Sequence, residues 1–252
     1  MTNNTEVPTN APLLPDNNFS GFIGGKDYEL IFRINPHQKI LQALVGQTLE
    51  ERYRNRQDLE EINVLDIGTG TGLTSYQILS ADPRIKLTSI DNEPKMIAEA
   101  KNNLKNFIDA GRIEISKGDA LEFLENTPDA SMDEVATAFT IHNFDAAYRA
   151  KVLKEVLRIL KPGGTFINAD KYVPDDPEEY KKEYDWQIQQ FNDADVTEGV
   201  REGWIKHYEV DDRPEIIMRE HESVELMKRI GFTDVTTSNR HHLEMLLIAK
   251  KK

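Results

Sequence analysis

Apolar positions along the chain follow two rhythms. Near the N-terminus, Leu30, Ile31, Ile34, Ile40, Leu41, Leu44, Val45 and Leu49 recur at three- and four-residue spacings between Lys26 and Arg54. That spacing predicts helix, and Pro36 should split it in two, because proline lacks the backbone donor a helix interior needs. Beyond it, short β-branched runs alternate with helical stretches. Ile62–Ile67, Lys86–Ile90, Ile113–Ser116, Asp133–Phe139 and Thr165–Ala169 read as strands. Leu73–Leu79, Glu93–Phe107 and Ala146–Leu160 read as helices. Repeated strand-helix units need crossover connections, so an α/β fold with a mostly parallel sheet covered on both faces is expected. Glu220–Ile230 is a further helix, followed by strands at Asp234–Thr237 and Leu243–Ala249. Few polar residues separate those two strands, so a hairpin should leave the last one antiparallel. Residues 1–24, rich in Asn, Thr, Pro and Gly, read as a flexible arm with one docked segment near Phe19–Ile23. Residues 25–252 then form one domain, with an insert at about 171–219.

Composition narrows the function classes. The chain has 252 residues, enough for one α/β domain, with 38% hydrophobic and 30% charged residues. Its net charge of −13 argues against nucleic acid, whose phosphates recruit Lys and Arg. Without cysteine there are no disulfides, thiolate zinc sites or cysteine nucleophiles. No apolar run approaches the roughly 20 residues of a membrane span, and no secretory leader is evident at the N-terminus. A cytoplasmic protein with a small-molecule substrate, no nucleic acid and no membrane partner is expected, with a homodimer left open.

Candidate chemistry starts at "VLDIGTGTGL", Val64–Leu73, where a hydrophobic run ends in Asp66 and glycines follow at 68, 70 and 72. Ligands of open α/β sheets sit at the carboxyl ends of strands, where Gly68, Thr69, Gly70 and Thr71 should fall. Glycine allows a tight turn and close approach of a ligand to the backbone; a bare strand-helix turn has the same pattern. The spacing is G-x-G-x-G, and Leu73 stands where a dinucleotide fingerprint has Gly or Ala. Asp66 would repel a pyrophosphate but suits an ammonium group. Asp91 ends the next strand 25 residues later, placed to accept both hydroxyls of a ribose or to cap the helix starting near Pro94. Asp119 and Ala120 follow the third strand, where a carboxylate can meet an adenine amino group or cap a helix. "LKPGG", Leu160–Gly164, is a turn.

Together, "VLDIGTGTG", "IDNEPKM", "GDALEF" and "LKPGG" resemble the class I S-adenosylmethionine-dependent methyltransferases in order and spacing. The resemblance spans Val64 to about Ala169. It implies a Rossmann-like, seven-stranded sheet in the order 3-2-1-4-5-7-6 with the last strand antiparallel, N-terminal helices and a helical insert after strand five. It implies S-adenosyl-L-methionine as cofactor, with Asp66 near the methionine ammonium and Gly68, Thr69 and Gly70 beneath the cofactor. Asp91, with Asn92 and Met96 of the same motif, would serve the ribose side, and Asp119 and Ala120 the adenine.

"RINPHQKILQALVGQTLEERY", "NADKYVPDD" and "EIIMREHESVELMKRIGFTDV" resemble carboxy-S-adenosylmethionine synthases and related small-molecule methyltransferases. In the synthases an arginine holds the extra carboxylate of the product; the matching residue is Arg219. A cofactor-contacting tyrosine of that family falls on Gln38 and an asparagine on Ala138. With those two contacts replaced, methyl transfer to a small molecule is the expected activity; the alternatives are synthase-like chemistry and a non-catalytic cofactor-binding subunit. A nicotinamide dehydrogenase is disfavoured by Leu73 and Asp66.

A sulfonium methyl is already activated, so positioning and exclusion of water dominate, and a base is needed only for a protonated acceptor. Residues after strands four and five are the candidates: His142, Asn143, Asp170, Lys171 and Tyr172, with His142 and Tyr172 as the catalytic expectation. Arg33 either reaches the cofactor carboxylate or lies on a solvated helix face. The insert carries Trp186 and Trp204 among several tyrosines, and 14 acidic residues against 7 Lys and Arg. Aromatics with carboxylates suit an amine or other cationic acceptor; a helical lid with an apolar inner face fits the same composition. Trp186, Trp204 and Arg219 are the expected acceptor contacts. No spacing marks a metal site: His241 and His242 are adjacent, which on a strand means opposite faces.

Overall fold

The structure, a computed structural model, describes residues 32, 34–56 and 58–252. The expected N-terminal arm and Arg33 lie outside them. Helix α1 (His37–Tyr53) begins directly after Pro36, whose φ of −63° suits a helix start. Strands β1 (Ile62–Ile67), β2 (Ile85–Asp91), β3 (Ile113–Lys117), β4 (Met132–Ala138), β5 (Leu160–Lys171), β6 (Thr233–His241) and β7 (Glu244–Lys250) form one sheet in the order β3-β2-β1-β4-β5-β7-β6. The first five run parallel, whereas β7 is antiparallel to both β5 and β6. The expected topology and final antiparallel strand are therefore present.

Parallel strands with near-continuous apolar runs need cover on both faces. On one face α1, α2 (Leu73–Ala81) and α3 (Pro94–Asn103) enclose Leu41, Val45, Leu49, Val64, Ile78 and Ala100. On the other, α5 (Ala120–Glu125), α6 (Ala146–Ile159) and α9 (Glu220–Ile230) enclose Leu65, Ile67, Leu124, Val156, Phe166 and Met227. The segment between β5 and α9 holds α7 (Pro177–Asp193) and α8 (Glu198–Asp211). Phe191, Trp204 and Tyr208 from these two helices pack with Phe32, Ile34, Leu73 and Leu243. No helix among the described residues is long and apolar enough to cross a membrane.

Four details depart from the sequence expectation. The helix expected over Glu93–Phe107 breaks at the buried Leu104 and resumes as α4 (Lys105–Asp109). Asn102 and Asn103 are poor helix formers, and the Asn103 side chain donates to Thr71 O at 2.9 Å, tying the helix end to the glycine loop. The cap of α3 is Glu93, which accepts from Lys95 N at 3.1 Å, not Asp91. The KPGG turn bulges out of β5: Leu160 pairs with Met132, and pairing resumes at Thr165 opposite Glu134. Finally, His241 and His242 do not sit on opposite faces. His242 occupies the hairpin turn with φ +53°, which brings the two rings within 4.4 Å.

Candidate cofactor and acceptor site

At the end of β1 the chain turns sharply, with Gly68 N and Thr69 N both donating to Ile90 O at 2.9 and 3.0 Å. Gly68 has φ +83°, and a Cβ there would lie 2.0 Å from Thr140 Oγ1, so only glycine fits. Gly70 has φ +52°, and a Cβ there would meet nothing within 4 Å. The first glycine thus allows packing against the β4 loop, and the second opens toward empty space. That space is a cavity of about 400 Å³ running along the carboxyl ends of the strands.

One half of the cavity is built by the ends of β1, β2 and β3. Gly68, Thr69, Gly70, Asp91, Asn92, Met96, Asp119 and Ala120 line it, as the sequence leads one to expect. Asp91 Oδ2 accepts from Gly70 N at 2.8 Å and its Oδ1 from Glu93 N at 2.9 Å, so the carboxylate is fixed while lone pairs remain for a ligand. Asp119 caps α5 by accepting from Glu122 N at 3.0 Å and from the Tyr148 hydroxyl at 2.7 Å. The backbone N–H of Glu122 is the main reason its carboxyl is held below the usual carboxylate range. Thr71 Oγ1, buried and lining the same space, has no partner among the described residues. A glycine opening, two anchored carboxylates and an unpartnered hydroxyl fit the nucleoside of S-adenosylmethionine.

Asp66 departs from its expected role. It is fully buried behind the loop, does not line the cavity, and accepts from Ser75 Oγ at 2.5 Å. Burial pushes its carboxyl up to about 7.

The other half is built by the ends of β4, β5 and β7, by α1 and by α8. Phe139 turns the chain out of β4 with φ +51°, a conformation a bulky residue seldom adopts and one that marks functional turns. A single 3₁₀ turn, Ile141–Asn143, then places His142 in the cavity wall. Its Nδ1 lies 2.6 Å from Asp170 Oδ1 at the end of β5. Asp170 is itself held by the backbone N–H groups of Ile141, His142 and Lys171 at 3.0, 3.3 and 2.9 Å. An ionised carboxylate so placed fixes the tautomer with Nδ1–H, leaving Nε2 as the free basic nitrogen. Burial lowers the affinity of His142 for a proton, but attraction and hydrogen bonding to Asp170 outweigh it, and its pKa is raised.

Lys171 Nζ lies 3.2 Å from Asp211 Oδ2 and 3.9 Å from the centre of the Tyr208 ring. His142 Nε2 and His207 Nε2 lie 3.9 and 3.8 Å from the same Asp211 oxygen. Burial lowers the pKa of His207. His142, His207 and Asp211 are thus a potential metal-ligand set that no linear spacing showed, but the Lys171 ammonium already occupies the shared oxygen.

Three expected contacts do not face the cavity. Tyr172 follows Lys171 and projects to the opposite side, as alternation along an extended chain requires. Its hydroxyl accepts from Asn168 Nδ2 at 2.7 Å within the core. Trp186 stacks on His242 with ring centres 3.5 Å apart. Arg219 donates to Pro174 O at 3.3 Å and lies over the Tyr180 ring at 5.8 Å. The arginine matching the one that holds the extra carboxylate in the synthases therefore does not line the cavity. Trp204 does line the cavity. Gln42, His207, Asp211 and Glu244 line it too, although no sequence motif singled them out. The available signals were weak: polar Gln38 and Gln42 four apart among the buried positions of α1, and His207 and Asp211 four apart on α8.

Residues 64–164 match a family described as a methyltransferase domain. A demethylmenaquinone methyltransferase of Leptospira interrogans is 32% identical over 109 residues, 43% of either chain. The ubiquinone/menaquinone biosynthesis C-methyltransferase UbiE of Geobacter sulfurreducens is 31% identical over 159 residues, 60% of either chain. The chain thus spans about half the length of the curated relatives it matches. Among solved structures, an O-methyltransferase family protein from Burkholderia thailandensis superposes with TM-score 0.62 at 17% identity, over 90% of this chain and 60% of that one. Phosphoethanolamine N-methyltransferase 2 of Haemonchus contortus, in complex with S-adenosyl-L-methionine, superposes with TM-score 0.57 at 17% identity, over 81% and 52%. Residues 64–164 thus match a methyltransferase domain, and the sheet topology is that of solved methyltransferases.

Proposed function

We propose that the protein transfers the methyl group of S-adenosylmethionine to a small-molecule acceptor whose proton is taken by His142. The observation that carries the proposal is the 2.6 Å contact of His142 Nδ1 with Asp170 Oδ1 in the cavity wall, which leaves Nε2 as a base. When bound, S-adenosylmethionine supplies a methyl group already activated by its sulfonium.

The glycine loop and Asp91 would hold the ribose side of the cofactor, and Asp119 with Ala120 the adenine. His142 accepts the acceptor's proton at Nε2, and Asp170 stabilises the resulting imidazolium through Nδ1–H. Phe139 and Trp204 line the cavity, and their apolar surfaces limit water there. C-, O- and N-methyl transfer all occur among the names of similar proteins, so the acceptor atom is not carried over from them.

Isothermal titration with S-adenosylhomocysteine, followed by tritium transfer from methyl-labelled cofactor to a library of small acceptors, tests this reading. Micromolar cofactor binding with turnover abolished in His142→Ala is the expected result. Absence of binding, or full turnover in His142→Ala, overturns it.

A further inference from the structure

The acceptor half contains polar atoms that the His142–Asp170 pair does not use. Glu244, at the start of β7, is 1% exposed and lines the cavity. Its Oε1 accepts from Asn35 Nδ2 at 2.6 Å, while Oε2 makes no hydrogen bond of normal length among the described residues, although the Gln38 side chain interacts with the carboxyl. Gln42 on α1 is 2% exposed, lines the same cavity, and its Oε1 is likewise without a partner. Leaving such buried acceptors unmet is costly, so each is a specification for what enters.

Charge sharpens the specification. Among the described residues three carboxyl groups stand on this side, Asp170, Asp211 and Glu244, against one ammonium, Lys171; burial raises the pKa of Glu244, so an entering cation would favour its ionised form. Asp170 is engaged by His142 and three backbone donors, and Asp211 by Lys171. Of the three, Glu244 is the one with a fully buried oxygen that has no hydrogen-bond partner among the described residues. Two unmet acceptors, one belonging to a carboxylate, suit a ligand that brings N–H donors and a positive charge, and they repel an anionic one.

Strand order separates Glu244 from the ends of β1, β2 and β3. Glu244 pairs in register with Lys171 of β5, and β4 stands between β5 and β1. The nucleoside half lies at β1, β2 and β3.

We propose that Glu244 Oε2 and Gln42 Oε1 form the recognition site for an ammonium group of the methyl acceptor, so that the acceptor is a cationic amine. The inference rests on the methyltransferase reading above. It assigns the substrate class and makes Glu244 a specificity residue distinct from the base.

Three shape-matched probes test it on the full chain loaded with S-adenosylhomocysteine: 2-phenylethylamine, 2-phenylethanol and 3-phenylpropionate, followed by ligand-observed NMR titration. The amine should bind wild type at least about tenfold more tightly than the carboxylate. In Glu244→Gln that preference should fall to within about threefold, with S-adenosylhomocysteine affinity unchanged. Gln42→Leu, which alters no charge, should weaken the amine alone and serves where Glu244→Gln does not fold. Equal or tighter binding of the carboxylate, no binding of any probe, or an unaltered preference in both variants overturns the proposal. A loss of S-adenosylhomocysteine affinity in Glu244→Gln also overturns it, since the ammonium recognised would then be the cofactor's. Failure of wild type to bind S-adenosylhomocysteine at all is instead a failure of the methyltransferase reading.

Discussion

The two halves of the cavity are made differently. The nucleoside half is backbone and short loops: three consecutive strand ends, each with its acid or glycine within a few residues of the strand. Its parts are held locally, as when Asp91 accepts from Gly70 N and Asp119 from Glu122 N. The acceptor half is side chains gathered from five distant segments, from Gln42 to Glu244, and joined across the fold by Asp170–His142 and Lys171–Asp211. One half is specified by local turn chemistry and suits a constant ligand. The other depends on tertiary placement and is free to change with the acceptor.

The largest effect that can break this division is on turnover. His142→Ala should lower kcat by roughly 10²–10⁴-fold, the usual contribution of a positioned base, and leave S-adenosylhomocysteine affinity within about twofold by calorimetry. A matching collapse of cofactor affinity would mean the halves are not separable. The pH profile sharpens the assignment. Because Asp170 raises the His142 pKa above 6.5, the base form appears as pH rises, and kcat should climb through a pKa above that value. Asp170→Asn should shift that limb toward lower pH as well as reduce kcat. An unmoved limb would assign the titration to another group.

Asp91→Ala should act in the opposite sense. Removing it deletes acceptors for the cofactor and frees Gly70 N, so S-adenosylhomocysteine affinity should fall by about 1–3 kcal/mol in titration calorimetry. Amine binding to protein saturated with cofactor should not change. Unchanged cofactor affinity would remove Asp91 from the site.

The same division explains what could be read from the sequence. Strand positions and their order of appearance were legible because β-branched runs and helical spacing are local signals. The cavity residues at the ends of β1, β2 and β3 were legible for the same reason, since they are adjacent to strand ends. Alternation puts residues 171 and 172 on opposite sides, but which side carries the cavity is set by how the helices pack on the sheet, a tertiary fact that buries Tyr172 in the core. Glu244 stands at the opening of a strand that only antiparallel pairing brings beside Lys171. His207 and Asp211 belong to a helix whose docking no linear pattern reports. Asp66 is the converse case: it ends the right strand, but Ser75 and Ser89 take its Oδ2 from inside the fold, while Oδ1 has no partner among the described residues.

Asp66 offers a smaller test, on stability. Its folded pKa of about 7 lies above its ordinary value of 3.8, so the folded state takes up a proton in that interval. The favourable contribution of the protonated form is complete below about 3.8 and is lost as pH rises toward 7. Asp66→Asn mimics the protonated group. In thermal melts it should leave stability near wild type at pH 5 and raise it at pH 8, by on the order of 1 kcal/mol once the new amide's own unmet bonds are counted. A variant less stable at pH 8 than at pH 5, relative to wild type, would show that the carboxylate is needed ionised.

Arg219→Met should have the least effect, and that small effect decides whether synthase chemistry belongs to this chain. An arginine serving a carboxylated sulfonium cofactor has to face the cavity. Arg219 instead donates to Pro174 O, lies over Tyr180, and is partly exposed at the start of α9. Its guanidinium is a positive charge outside the cavity, screened by solvent, so its removal changes the field at a bound sulfonium only slightly. The cost to stability should be about 0–1 kcal/mol, as for an exposed polar contact. In a competition titration, the preference between S-adenosylmethionine and its carboxylated form should be the same for wild type and Arg219→Met within about twofold. A preference of more than about tenfold for the carboxylated form, near 1.4 kcal/mol and erased by the substitution, would require Arg219 to swing into the cavity. The acceptor half would then bind an altered cofactor, and the amine site at Glu244 would have to be tested with that cofactor bound.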